Sequence, residues 1–265
     1  MTNVVQQRDR PVTSLFARNR FNASDAFRQK AKKLEGGADK HGDPALLSSC
    51  MKCYLLLLCF SVSLVSLSPI SAADRVYEVR VVNRARSGLT NIMWATHGPR
   101  ARMYRRGKKA SRGVAELAKD GILSILRREL VAQQKKAKGV DSIGVGFGPG
   151  PKRQSTFRVR SSPGHRLFSW STMAVCSNDT FAGQDSFRLP RYVGQTKTKL
   201  ILAYDAGAEV NTESRDDVPC LGAHGVGPEE DKPIRLSDAV RGDGDIPKSR
   251  GWGKYIARIT ITRVR

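Results

Sequence analysis

The chain has 265 residues, 40% of them hydrophobic, enough to bury a sizeable core, which excludes a disordered polyelectrolyte. Its 24 glycines, 5 cysteines and lack of heptads exclude collagen, a coiled coil and a disulfide-dense miniprotein. A balance of 46 Lys+Arg against 24 Asp+Glu gives +22, which invites a polyanionic partner, nucleic acid first, until that charge is located along the chain.

Residues 1–50 are polar, rich in Arg, Lys, Asn and Gln, and hold no sustained periodicity, so they are expected to be a disordered extension or an over-extended reading frame. Residues 51–73 carry Met51-Lys52, an apolar run from Tyr54 to about Leu67, and the small-residue exit Ser71-Ala72-Ala73. These are the parts of a secretory signal peptide, with cleavage expected after Ala73 and Met51 as the working start. The alternatives are a membrane anchor through residues 53–70 or a buried helix, but a full span needs roughly 20 apolar residues. Cys50, Cys53 and Cys59 fall in or before this segment, leaving Cys176 and Cys220 in the exported part. They permit one disulfide, with two unpaired buried thiols as the alternative.

Residues 74–265 form the expected domain. Tyr77–Val82 predicts an opening strand and Leu89–Thr96 a weaker one. Ser111–Ala118 starts a helix capped by Ser111 and interrupted at Gly121; Ile122, Ile125, Leu126 and Leu130 resume the helical spacing towards Lys138. From Val140 the period changes to two. Gln154–Arg160, Arg166–Cys176, Thr198–Ala203 and Tyr255–Val264 predict strands, and residues 161–165 a turn. Gly144–Pro151 is read as a turn, because a phosphate loop needs a helix after its glycines and here two prolines and a strand follow. The expected class is mainly β: an antiparallel β-sandwich with a helical insertion.

No HExxH, GxSxG or CxxC frames His97, His165 or His224, so no enzyme is expected. The carboxylates are more informative. Asn178-Asp179-Thr180 and Tyr204-Asp205-Ala206-Gly207-Ala208-Glu209 each follow a predicted strand, and Gly207 lets Asp205 and Glu209 face one point. Acidic loops at strand ends suit calcium, which takes several hard oxygen ligands in flexible geometry.

The segments 177–183 and 204–209 resemble the paired loops of spondin domains, whose members show an Asn-Asp segment ending in aromatic-x-Gly, then aromatic-Asp-Ala-Gly-x-acid. Ala95-Thr96-His97, the 110–114 helix start and the closing 256–261 segment match in family order, spanning about 78–264. The resemblance implies an extracellular antiparallel sandwich similar to calcium- and lipid-binding sandwich domains. It also implies one calcium ion held by Asp179, Asp205 and Glu209. Glu209 stands where animal members carry Asp, and Ala208 where Thr is usual.

The leading expectation is a secreted, non-enzymatic domain that binds calcium and an extracellular or envelope ligand, without a stable membrane span. The alternative is a binder of acidic glycan or anionic lipid through Arg100, Arg102, Arg105, Arg106, Lys108, Lys109 and Arg112, a cluster that is otherwise a solvated loop. Removing residues 1–73 leaves 36 basic against 19 acidic residues, so the imbalance survives export and points to envelope or matrix polyanions rather than nucleic acid.

Overall fold

The computed structural model describes residues 74–222, 227–238 and 240–265. The expected extension (1–50), signal peptide (51–73), alternative anchor (53–70) and His224 lie outside the described residues. Among the described residues, no helix is long and apolar enough to cross a membrane.

Among the described residues, ten strands and two helices follow one another along the chain. They are β1 (Arg75–Asn83), β2 (Ile92–His97), α1 (Arg112–Asp120), α2 (Ser124–Gln134), β3 (Val140–Gly146), β4 (Gln154–Ser161) and β5 (Leu167–Met173). Then come β6 (Thr180–Arg188), β7 (Thr196–Ile201), β8 (Ala203–Asp205), β9 (Arg235–Leu236) and β10 (Ala257–Arg263). One sheet has the order β4-β1-β10-β7 and the other β3-β2-β5-β6-β8-β9, with every pairing antiparallel. The mainly β sandwich with a helical insertion is the observed architecture.

Period-two alternation builds the outer sheet. Val79 and Val81 of β1, with Ile259 and Ile261 of β10, point inward and are fully buried. Thr260 and Thr262 point outward and hydrogen-bond Thr198 and Thr196 of β7 at 3.1 and 2.8 Å. The central strands of the other sheet are buried on both faces, so β2 and β5 lose the alternation that would mark them in sequence. Ile92, Trp94, Phe168 and Trp170 fill the space between the sheets, while Met93, Ala95 and Phe181 face Leu117, Leu126 and Leu130 of the helices.

The helical insertion is fastened by a side chain from its own second half. Ser111 caps α1 by accepting the Val114 N–H at 3.3 Å. Glu129 of α2 accepts the Ser111 hydroxyl at 2.6 Å and the Gly113 N–H at 2.7 Å, placing a carboxylate at the positive end of α1.

Four expectations are corrected. Gly144, Val145 and Gly146 belong to β3 rather than to a turn, because the Trp94 and Phe157 rings lie where side chains at Gly144 and Gly146 would sit. The strand expected over Arg166–Cys176 ends at Met173, since Ala174 and Val175 turn to bond Thr180 and Gly88. The strand expected over Thr198–Ala203 is two strands: the chain leaves one sheet at Ile201 and enters the other at Ala203. Finally, β6 starts at Thr180, where the expectation had only a loop.

Candidate functional site

The acidic residues stand where β6 begins and β8 ends. Thr180 pairs with Asp205 across these strands, and the Asp179 carbonyl accepts the Ala206 N–H at 3.1 Å. After Asp205 the chain turns at Gly207, in the left-handed region at φ 69°, against the Lys232 carbonyl; a side chain there would meet that oxygen at 2.1 Å. The turn aims two amides at Asp179, whose Oδ2 accepts the N–H of Ala208 at 2.7 Å and of Glu209 at 3.0 Å. Asp205 Oδ1 accepts the Gly207 N–H at 2.7 Å.

All three carboxyl-bearing residues are buried: Asp179 is 2% exposed, Glu209 4% and Asp205 6%. Burial pushes the Asp205 carboxyl up to about 6, Asp179 adding repulsion while the Gly207 N–H and Arg235 oppose it. Burial pushes Glu209 up to about 7; Lys119 draws it down, and Asp179, Asp120 and Asp217 push it further up. Asp179 is also raised by burial, against the amides of Glu209 and Ala208. The structure therefore brings the three sequence-predicted residues into one electrostatic neighbourhood.

Residues without a sequence signal complete that neighbourhood. Arg235 of β9, paired in register with Asp205, places Nη2 2.7 Å from Asp205 Oδ2 and 2.6 Å from Glu230 Oε2. Lys119, in the last turn of α1, lies 3.9 Å from Glu209 Oε1. Asn178 gives its amide N–H to Thr212 at 3.1 Å and accepts the Glu213 N–H at 3.2 Å. Only β9's two residues distinguish Arg235 locally, too short a run for any period.

Hard, buried, mutually repelling oxygens are the donor chemistry calcium takes. The side chains are nonetheless committed to separate partners. Among the described residues, no three His, Cys, Asp or Glu side chains are grouped closely enough to share one metal ion. A cation at this site would draw on oxygens that now meet amides and Arg235.

The remaining sequence candidates sit elsewhere. Arg100, Arg102, Arg105, Arg106, Lys108, Lys109 and Arg112 are all exposed. Arg102 pairs with Asp185 at 2.9 Å and Lys109 with Asp231, so two of the seven already have counter-charges. Cys176 and Cys220 are joined in a disulfide with their Cα atoms 5.1 Å apart.

Two antiparallel sheets, a helix pair on one face and buried acids in the strand-end loops define a mainly β sandwich module. The Spondin_N family model matches residues 82–217, and the chain belongs to the spondin N-terminal domain family. No curated protein matches the chain significantly. The matched region contains Asp179, Asp205 and Glu209, whereas Cys220, Glu230 and Arg235 lie beyond it. The family points to a spondin-like role outside the cell and is not known for enzymatic activity.

Proposed function

We propose that this is a secreted, non-enzymatic domain that binds one calcium ion through Asp179, Asp205 and Glu209 and presents the loops so ordered to an extracellular or cell-surface ligand. Export through residues 51–73 belongs to the same reading. The observation that carries it is the burial of three carboxyl groups on two adjoining loops, with Asp205 and Glu209 raised to about 6 and about 7. A divalent cation would neutralise that charge and tie the loop before β6 to the loop after β8.

The test is thermal unfolding of the full chain at pH 8, with millimolar calcium or with chelator. A ligand at 100 times its Kd stabilises by about 2.7 kcal/mol, about 5–10 °C for a domain of this size. Calcium should raise the midpoint, and Asp205→Asn should abolish the rise. An unchanged midpoint at every calcium concentration rejects the site.

The polyanion reading keeps one supporting observation in the 100–112 segment: Arg105, Arg106 and Lys108 are exposed and have no ion pair among the described residues. Salt-dependent retention on heparin, lost in Arg105→Ala/Arg106→Ala, would establish it.

A further inference from the structure

Among the described residues, a second concentration of basic charge lies at the other end of the sandwich from the acidic loops. β6 starts beside Asp179 and ends at Arg188, and the register gathers the basic ends of several strands there. Leu167 pairs with Arg188, Tyr77 with Arg263, and Ile261 with Lys197. A cleft of about 880 Å³ opens between these ends, lined by Arg75, Arg166, Arg188, Arg191, Lys197 and Arg263. Among the described residues, no acidic one lines it.

Three of the six cations are anchored by uncharged groups. Lys197 Nζ donates to the Arg188 carbonyl at 3.0 Å, and Arg263 donates to the Arg191 carbonyl and to the main-chain oxygen of Arg265, the last residue of the sequence. Arg191 lies over the Tyr192 ring, 5.4 Å from its centroid. Among the described residues, none of the six pairs with an acidic side chain. The floor is Tyr77, 1% exposed, with Arg75, Arg263 and Arg166 acting electrostatically on its hydroxyl.

Convergent like charges repel one another and weaken the fold unless an anion joins them. Five of the six are arginines, whose planar forks match sulfate, phosphate and carboxylate groups two bonds at a time. The cleft is larger than a single sulfate needs and falls within the roughly 300–1,000 Å³ of small-ligand sites. Tyr192 at its rim is 61% exposed and offers a flat apolar face beside the charges. A floor recessed to Tyr77 suits a narrow chain that enters the cleft better than a flat bilayer surface.

We propose that this arginine-lined cleft is a binding site for a sulfated oligosaccharide, separate from the acidic loops and from the 100–112 segment. The sulfates meet the arginine forks, and a sugar ring lies against Tyr192. Nothing in the cleft requires calcium.

The test is titration calorimetry of the full chain with a heparin-derived tetrasaccharide in chelator, across a salt series. Binding is expected, weakening as salt rises. Arg166→Ala/Arg188→Ala should reduce affinity at least tenfold; both side chains are exposed and their mutual repulsion is relieved, so the unfolding midpoint should not fall. Arg105→Ala/Arg106→Ala should change affinity less than twofold. Equal losses in the two double variants, a loss confined to Arg105/Arg106, or binding only to phosphatidylserine vesicles would each overturn the proposal. Because the titration is run in chelator, failure of the calcium site leaves its outcome unchanged.

Discussion

At the scale of single residues, Glu209 is held at a protonation equilibrium that no exposed glutamate has. Its folded-state value, about 7, lies above the ordinary 4.5, so the folded state binds a proton more tightly than the unfolded chain. The stability this contributes is present below about 4.5 and is lost as pH rises through about 7. Asp205 acts in the same direction between 3.8 and about 6. In chelator, the unfolding midpoint should therefore rise as pH falls from 8 to 6.5, and Glu209→Gln should flatten that slope while raising the midpoint at pH 8. The calcium-induced rise should be larger at pH 8 than at pH 6, because protons and metal compete for the same oxygens. A second buried group has the opposite sign. Burial lowers His97, whose Nδ1 donates to the Gly98 carbonyl at 2.7 Å and whose Nε2 lies 2.7 Å from Ser169 Oγ. A carbonyl only accepts, so the neutral ring carries its proton on Nδ1 and Ser169 donates to Nε2. Asp185, 3.0 Å from the same hydroxyl, is then served by the Met103 N–H and Arg102. Ser169→Ala leaves Nε2 and the Ser186 N–H without this partner and should cost about 1–3 kcal/mol in denaturant unfolding.

At the scale of elements, the close approach of β2 and β3 depends on what is missing from β3. A Cβ at Gly144 would lie 2.3 Å from the Trp94 ring, so Gly144→Ala should cost about 1–3 kcal/mol by forcing the indole aside. Gly253→Ala, where nothing lies within 4 Å, should stay within about 0.5 kcal/mol in the same measurement. The same contacts explain what could be read from the sequence. β1, β4 and β10 have one face between the sheets, and their alternation announces them. Ser111 and Gly121 announce the ends of α1 as cap and stop; Gly121 adopts φ 70°. β6 was hidden because Thr180, Phe181, Ala182 and Gly183 are all buried, on both faces, and Gln184, Asp185 and Ser186 follow as three polar residues in a row, so neither half alternates. Gly144 and Gly146 pass for turn residues because the reason for them is a ring on another strand. Within the candidate site, Asp205 and Glu209 were legible as acids flanking one glycine and Asp179 as an acid after a predicted strand, and the family resemblance grouped the three. Arg235 and Lys119 were not, because they arrive from a two-residue strand and from the end of a helix.

At the scale of the whole molecule, the chain between β8 and β10 has almost no ladder of its own: β9 contributes two residues, and residues 219–221 and 248–250 form single 3-10 turns. Two other devices hold it. Glu213, 1% exposed, accepts the N–H groups of Arg241, Gly242 and Asp243 at 2.5–3.2 Å, drawing two distant parts of the segment together around one carboxylate. A small third core packs Cys176, Val218, Val240 and Ile246, with Cys220, Leu221 and Trp252 against it. The Cys176–Cys220 bond joins this core to the chain between β5 and β6, next to Asn178 and Asp179. It closes a sequence separation of 44 residues, for which the loop-entropy treatment gives about 4 kcal/mol. Because the two sheets and the helix face have cores of their own, that loss should fall on the irregular segment first. Cys176→Ser/Cys220→Ser should therefore become susceptible to limited proteolysis within residues 206–256 while keeping the far-ultraviolet signal of its sheets. The same variant should bind calcium more weakly, because Asn178 and Glu213 then no longer hold the loop that carries Asp179 in place. The tetrasaccharide affinity of the arginine cleft, built on β1, β5, β6, β7 and β10, should not change. Parallel loss of both activities would mean that the disulfide supports the whole sandwich rather than its acidic end.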